Sequence, residues 1–277
     1  MPLKLMYITC NPEIARIAES VGVDRIFVDM EYIGKAERQP GDTVKSSHTI
    51  DDVKRIRSTI STSELLVRCN PYTVNESFNS ECEIEQIIEA GADIIMLPMA
   101  KDVETVSRFC DAVGGRAKTM LLLETAEGVG QLDAILKSCP IDELHIGLND
   151  LHIAYNKKFM FELLTDGTVE NIIEKMRPYS IPYGFGGIAR IGKGILPSER
   201  VITEHYRLGS NAAILSRAFC NIKDITSLSE ISEIFAEGVA NIRKFESIVA
   251  TYSWQQYEKN HLETIEIVRK IVSEWGE

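Results

Sequence analysis

The chain has 277 residues, 44% of them hydrophobic and 26% charged, with 30 basic side chains against 41 acidic ones. That size and mixture suit a soluble globular protein of one large domain or two ordinary ones, with enough residues for a substantial core. A net charge of −11 gives no general attraction to a phosphate backbone or an anionic membrane face, which argues against nucleic acid and membrane as partners.

No apolar run approaches the roughly 20 residues needed to span a bilayer. The opening MPLKLMYITCNPEIARIAE has neither a charged leader nor a cleavage pattern after a long apolar region, so a cytoplasmic location is expected. The six cysteines are scattered, with no CxxC pair and no zinc-like spacing with histidine, and read as reduced structural thiols.

Along the chain, short apolar runs rich in β-formers recur, each followed by a helical pattern. The runs are KLMYIT (4–9), RIFVDME (25–31), ELLVRCN (64–70), DIIMLPM (93–99), KTMLLLET (118–125), ELHIGLND (143–150), YGFGGIA (183–189) and NAAILSRAF (211–219). Between them, TIDDVKRIRSTI opens with a Thr–Asp cap signal, and SECEIEQIIEAGA carries Gly91 where a helix would end. Strict alternation implies a parallel sheet with right-handed crossovers, and eight units over about 220 residues predict a (β/α)8 TIM barrel rather than an open sheet. Residues 1–225 are assigned to that catalytic barrel.

From residue 226 onward the strand signal stops. Apolar residues from Leu228 to Val249 fall three or four apart, and Trp254 to Trp275 form a second helical candidate. One helix completes the eighth unit. The surplus, with Leu262, Ile265, Val268 and Ile271 in a stripe, calls for a partner surface on this chain or on a neighbour, which makes 226–277 a helical segment and an oligomer plausible.

In such barrels the working residues lie where strands end and βα loops begin. Asp29 and Glu31 end the second run, Arg68 and Asn70 the third, Glu124 and Thr125 the fifth, and Asn149 and Asp150 the sixth. Glu124 and Asp150 close consecutive strands about 5 Å apart, so their carboxylates can converge and repel, a conflict that one proton or one cation relieves. With no His or Cys at either tip, an all-oxygen site favours magnesium or manganese. The same acids could instead cap helices or pair within loops. Asp29 and Glu31, two apart, share a face and either handle protons or pair with a base. Arg68 offers a planar fork to a substrate carboxylate or to those same acids. The glycines of YGFGGIARIGKG suggest a tight turn before a phosphate cradle. His145 reads as a packed residue, His152 lies just past the sixth tip, and His48 has no evident duty.

Together these stretches resemble the HpcH/HpaI aldolase and citrate lyase family, metal-dependent (β/α)8 enzymes of the phosphoenolpyruvate and pyruvate superfamily. FVDMEY is similar to the family's D-x-E-H strand end, LLVRCN to its L-V-R segment, IIEAGADIIMLPM to its A-G-A segment ending in P-M, LLLET to its I-E-T, and IGLNDL to its I-G-x-x-D-L. The resemblance covers residues 25 to about 155, in the family's order. It implies that Glu124 and Asp150 hold Mg²⁺ or Mn²⁺, that Arg68 binds the carboxylate or enolate of a pyruvate-like 2-oxo acid, and that Asn149 lies among the substrate-binding residues. It implies further that the last helix is exchanged within a trimer or hexamer, where Glu89 could approach a neighbouring site. Tyr32 stands where the aldolases carry their acid/base histidine. A phenol donates a proton or hydrogen bond far more readily than it removes one. The expected activity is therefore a metal-dependent carbon–carbon lyase or synthase working through a pyruvate-type enolate, with Asp29, Glu31, Tyr32 and Arg68 as candidate catalytic residues. A citrate-lyase-like enzyme acting on an acyl-CoA, and a binding barrel that has lost its base, stay open as alternatives.

Overall fold

All eight apolar runs form strands, and the strands close into a parallel barrel in chain order, with β1 bonded to β8. In this computed structural model the described residues are 1–35, 48–75, 77–222, 225 and 227–275. The strands are β1 (Lys4–Ile8), β2 (Arg25–Asp29), β3 (Glu64–Arg68), β4 (Ile94–Leu97), β5 (Lys118–Leu123), β6 (Glu143–Ile146), β7 (Tyr183–Ile188) and β8 (Ala212–Leu215). Around them run α1 (Pro12–Ser20), α2 (Ile50–Arg57), α3 (Ser80–Glu89), α4 (Val103–Val113), α5 (Ala126–Ser138), α6 (Leu148–Ala154), α7 (Thr168–Met176), α8 (Ser198–Leu208), α9 (Leu228–Val249) and α10 (Trp254–Glu274).

The helices start where polar caps stand. Asn11 accepts the amides of Glu13 and Ile14 ahead of Pro12, and Thr49 and Asp52 form a capping box. Gly91, at φ 88°, turns the chain after α3 as its position predicts.

All eight strands are shorter than their apolar runs, and at β2 and β6 the difference moves candidate site residues off the strand. β2 stops at Asp29, so Glu31 lies in the loop beyond it. β6 stops at Ile146, because the carbonyl of Gly147 accepts the amide of Leu151 and the chain turns straight into α6. Asn149 and Asp150 therefore sit in the first turn of a helix rather than at a strand tip.

Alternating strand residues fill the barrel in layers. Met6, Phe27, Leu66, Ile94, Met96, Met120, Leu122 and Ala212 form an apolar middle, and the opposite strand faces build the larger core against the helices. Polar layers lie above and below that middle. β2 and β3 pair Arg25 with Glu64 at the base and Asp29 with Arg68 at the mouth.

α9 closes the helical ring between α8 and α1. Its Glu246 accepts the Leu3 amide at 2.7 Å, and its Arg243 reaches the Leu3 carbonyl at 2.7 Å and Asp24 at 2.9 Å. α10 lies across α8 of the same chain through a largely polar seam. Asn260 bonds Arg200 and Glu204, and His261 Nδ1 lies 3.0 Å from Glu204. Its buried residues are Asn260, Thr264 and Val268, whereas Leu262 is 60% exposed. Of the expected apolar stripe, only Val268 is fully covered within the chain. Among the described residues no helix is long and apolar enough to cross a membrane.

Candidate active site

Side by side on β2 and β3, Asp29 and Arg68 meet at the mouth of the barrel. Arg68 Nε donates to Asp29 Oδ1 at 2.8 Å and Nη2 to Oδ2 at 2.7 Å, a bidentate pair. The same Nη2 lies 3.4 Å from Glu31 Oε2. Lys35, in the loop after β2, turns back into the barrel and places Nζ 2.7 Å from Asp29 Oδ2 and 3.6 Å from Glu31 Oε2. The guanidinium stands 5.7 Å over the ring of Phe27, the apolar floor of the mouth. Burial alone would push the Asp29 carboxyl up, but Arg68 and Lys35 outweigh it and hold the group well below the usual carboxylate range. Asp29 is thus a fixed anion, unsuited to taking up a proton near neutrality.

His48 closes the edge of this arrangement. The last bond of the β1–β2 ladder runs from the Thr9 amide to the Phe27 carbonyl, so β1 offers no partner for the amide of Asp29. His48 Nδ1 accepts that amide at 3.0 Å. Burial lowers the pKa of the imidazole, and Lys35 lowers it further against the opposing pull of Asp29. The ring is held neutral, with Nδ1 as the acceptor.

Asn70 joins the loops above β2 and β3. Its Oδ1 accepts the amides of Tyr32 and Ile33, both at 3.0 Å, and its Nδ2 donates to Glu83 at 2.7 Å and to the Met30 carbonyl at 3.3 Å. Glu83 in turn accepts the Asn70 amide at 3.0 Å. The backbone on both sides of Glu31 is fixed from below by one buried amide side chain.

Across the mouth, Glu124 follows β5 and is 3% exposed. Its Oε1 accepts the amide of Met99 at 3.1 Å, which is its one hydrogen bond among the described residues. Met99 adopts φ 55°, a left-handed conformation that costs a non-glycine residue energy and here accompanies an amide directed at Glu124. Gly147 makes room for the carboxylate, since a β-carbon there would lie 2.8 Å from Glu124 Cβ and 2.9 Å from Oε2. Burial pushes the Glu124 pKa up to about 8; Arg68 draws it down, while the charges of Asp150 and Glu31 raise it. Asp29 and Glu124, both carboxylates of one mouth, are thus shifted in opposite directions.

Residues 4–159 match the sequence model of HpcH/HpaI aldolase/citrate lyase. The chain belongs to that family. No functionally curated protein is significantly similar to it in sequence. Among solved structures, it is similar to an HpcH/HpaI aldolase from Desulfitobacterium hafniense DCB-2, with TM-score 0.59, 16% identity, and coverage of 88% of this chain and 93% of that one. A second is an HpcH/HpaI aldolase/citrate lyase family protein from Burkholderia cenocepacia J2315, with TM-score 0.62, 14% identity, and coverage of 83% and 94%. A citrate synthase variant aligns with TM-score 0.56 and 15% identity over 77% of this chain and 86% of its own. At those identities the solved structures establish the barrel and nothing finer.

Of the family-type positions expected from sequence, Asp29, Glu31, Arg68 and Glu124 converge at the mouth, with Asp150 close enough for its charge to act on Glu124. Asn149 shares the α6 turn with Asp150 and is exposed. Tyr32 is 62% exposed, its ring nearly perpendicular to that of Phe78 with centroids 6.4 Å apart. Glu89 is exposed at the C-terminal end of α3, which leads down into the start of β4, the end of the barrel opposite the mouth.

Thr125 caps α5 by accepting the Gly128 amide. The glycine-rich stretch after β7 forms a tight turn, its Gly192 amide bonded to Glu199 at 2.9 Å, as the plainer expectation had it. His145 is packed inside the barrel, also as expected, with Nε2 against the Gly186 carbonyl and its pKa lowered by burial to about 4.

Sequence reasoning missed Lys35, Glu83, Met99 and Gly147, and left His48 without a role. A lysine and a histidine in a loop carry no periodic signal. The one available hint was the Gly directly before the L-N-D segment. Elsewhere, the acids and histidine that come close enough to suggest a metal among the described residues are Glu170, Glu204 and His261. Arg207 already sits there, bonded to Glu170 and 2.7 Å from Glu204, so a guanidinium supplies the positive charge.

Proposed function

We propose that the protein is a divalent-metal-dependent carbon–carbon lyase, or a synthase in the reverse direction, acting on a pyruvate-type 2-oxo acid. The observation that supports this most is Glu124: a buried carboxylate on a glycine cradle, held by one amide, and pushed to about 8 by burial and by neighbouring acids. Such a group is unfavourable as an anion unless a cation joins it. Glu124 and Asp150 offer only oxygen, a donor set suited to Mg²⁺ or Mn²⁺, and they would hold the ion together with substrate oxygens. When bound, the ion supplies fixed positive charge against the oxygens of a 2-oxo acid as negative charge develops there.

The chain's own residues do the rest. Arg68, locked by Asp29, presents a guanidinium whose Nη1 is free of hydrogen bonds among the described residues, and that edge suits the substrate carboxylate. Lys35 and Asn70 keep Asp29 and the Glu31 backbone in register. Glu31 is the proton-handling candidate, Asp29 being fixed as an anion and the Tyr32 ring standing largely in solvent. The acyl-CoA alternative needs a basic channel for the nucleotide, and the cations Arg68 and Lys35 are already engaged by Asp29.

The exposed Leu262, Trp254 and Trp275 of the C-terminal helical segment suit an interface in a homo-oligomer, a trimer or hexamer. Truncation after residue 251 should then lower the oligomeric state in solution.

The central test is calorimetric titration of metal-stripped protein with Mn²⁺, paired with an assay for pyruvate released from 4-hydroxy-2-oxo acids. Wild type should bind the ion and release pyruvate, and Glu124→Gln should lose both. Equal ion binding by wild type, Glu124→Gln and Asp150→Asn would refute the assignment.

A further inference from the structure

Two features of the rim go unused by the enolate site. Tyr32 is 62% exposed although its backbone is among the most firmly held at the mouth, its amide and that of Ile33 both bonded to Asn70. Opposite it stands a short hairpin, closed by a bridge between Val74 and Asn79 and braced by Asn75, whose side chain accepts the amides of Ser77 and Phe78 at 2.9 Å. This hairpin sets the Phe78 ring at 85° to the Tyr32 ring, and its Val74 is 46% exposed. Both pieces are fastened to the same buried Asn70–Glu83 pair or to the adjoining start of α3.

The Phe78 contact leaves the tyrosine ring largely open to solvent, on the residue next to Glu31, whose carboxylate lies 3.4 Å from the Arg68 fork. Keeping a large aromatic ordered and wet gains the fold little. Held that way beside a charged pocket, it gives the mouth two chemistries: carboxylate recognition below and an apolar, π-faced ledge above.

We infer that Tyr32 and Phe78 form an aromatic lip that selects 2-oxo acids whose far end is apolar, and preferably aromatic, over short-chain ones. This rests on the proposed function, because it takes the 2-oxo acid head to lie at Arg68 and Glu124. Tyr32 is then a specificity residue: its ring, rather than its hydroxyl, does the work. No bond is made or broken by the lip. It stacks against the substituent that becomes the carbonyl partner when the carbon–carbon bond breaks.

The test uses two acids that lack the 4-hydroxyl and so cannot be cleaved, 2-oxo-4-phenylbutanoate and 2-oxopentanoate, titrated calorimetrically into the Mn²⁺-loaded full chain. Wild type should bind the phenyl acid about tenfold more tightly, the scale of one desolvated aromatic contact. Tyr32→Ala and Phe78→Ala should each bring the ratio near one, and Tyr32→Phe should preserve it. An equal affinity of wild type for both acids overturns the lip alone, as does a ratio unchanged in Tyr32→Ala. Loss of the ratio in Tyr32→Phe as large as in Tyr32→Ala also overturns it, since the hydroxyl would then be the active group. If neither acid binds, the proposed function and the lip fall together.

Discussion

The two ends of the barrel are built from the same two strands with the charges exchanged. At the base, Arg25 on β2 faces Glu64 on β3; at the mouth, Asp29 on β2 faces Arg68 on β3. Arg25 donates bidentately to Glu143 at 2.7 Å and through Nε to Glu64 at 2.9 Å, and Glu64 also receives Lys118 at 2.7 Å. Every acid of that plug thus has a cation within hydrogen-bonding reach. Burial would raise the Glu64 pKa, but Lys118 and Arg25 bring it down to about 2. The mouth has an equally tight pair in Asp29 and Arg68, yet it adds Glu124, which is buried and carries no hydrogen bond to a cation among the described residues. A closed network serves the fold. One that leaves a buried acid with a single amide is suited to receiving a charge from outside.

The largest effect belongs to the base. Arg25→Met should cost about 3–5 kcal/mol, because it strands Glu143 in the barrel floor and takes one cation from Glu64. Urea unfolding would measure it, and a loss under about 1 kcal/mol would mean that water or the lysines reach those acids. Divalent-ion binding by the folded fraction should be unchanged, which keeps the two ends separate.

At the mouth, Gly147→Ala places a β-carbon 2.8 Å from Glu124 Cβ and must displace that side chain. The expected result is a folded protein with Mn²⁺ affinity reduced at least tenfold, or about 1.4 kcal/mol. Undiminished affinity would show that Glu124 is not a ligand.

The ends also differ in pH response. Glu124 has a folded-state pKa raised from 4.5 to about 8, so its contribution favours folding at low pH and is lost as pH rises through about 8. Glu64 has one lowered from 4.5 to about 2, so its contribution is present above 4.5 and is lost as pH falls towards 2. At pH 7, Glu124 of the metal-free protein is mostly protonated, and binding of Mn²⁺ should release close to one proton. Titrations in two buffers of different ionisation enthalpy report that number directly, and no release would contradict the buried neutral acid.

The smallest change comes from Met99→Gly. Relief of a φ of 55° should add up to about 1 kcal/mol of stability while the amide to Glu124 is kept, so ion affinity should hold. A fall in affinity would mean that the methionine side chain, and not only its amide, shapes the site.

Much of this was legible in the chain itself. Continuous apolar runs rich in β-branched residues and leucine, alternating with capped helical stretches, gave all eight strands, because burial on both faces of a parallel strand leaves that unbroken signature. Strand ends then pointed to Asp29, Arg68 and Glu124, since the mouth of a barrel is where its strands finish. Residues after β6 were harder to place. An apolar run continuing into Leu148 reads as strand, and only the turn at Gly147 shows that Asn149 and Asp150 belong to a helix.

By itself, then, the sequence determined the barrel, its order and the strand positions from which the site is built, all of which follow from local periodicity and chain direction. Tertiary structure decided which charges meet. It returned Lys35 to Asp29 from six residues away, set His48 under the amide that β1 leaves open, and hung both rim loops on Asn70. It also docked α10 with Asn260 and Thr264 buried beside Val268 while leaving Leu262 in solvent. Pairings of that kind depend on distances between residues far apart in the chain and on the competition of several partners for one charge, and neither leaves a pattern in the order of the amino acids.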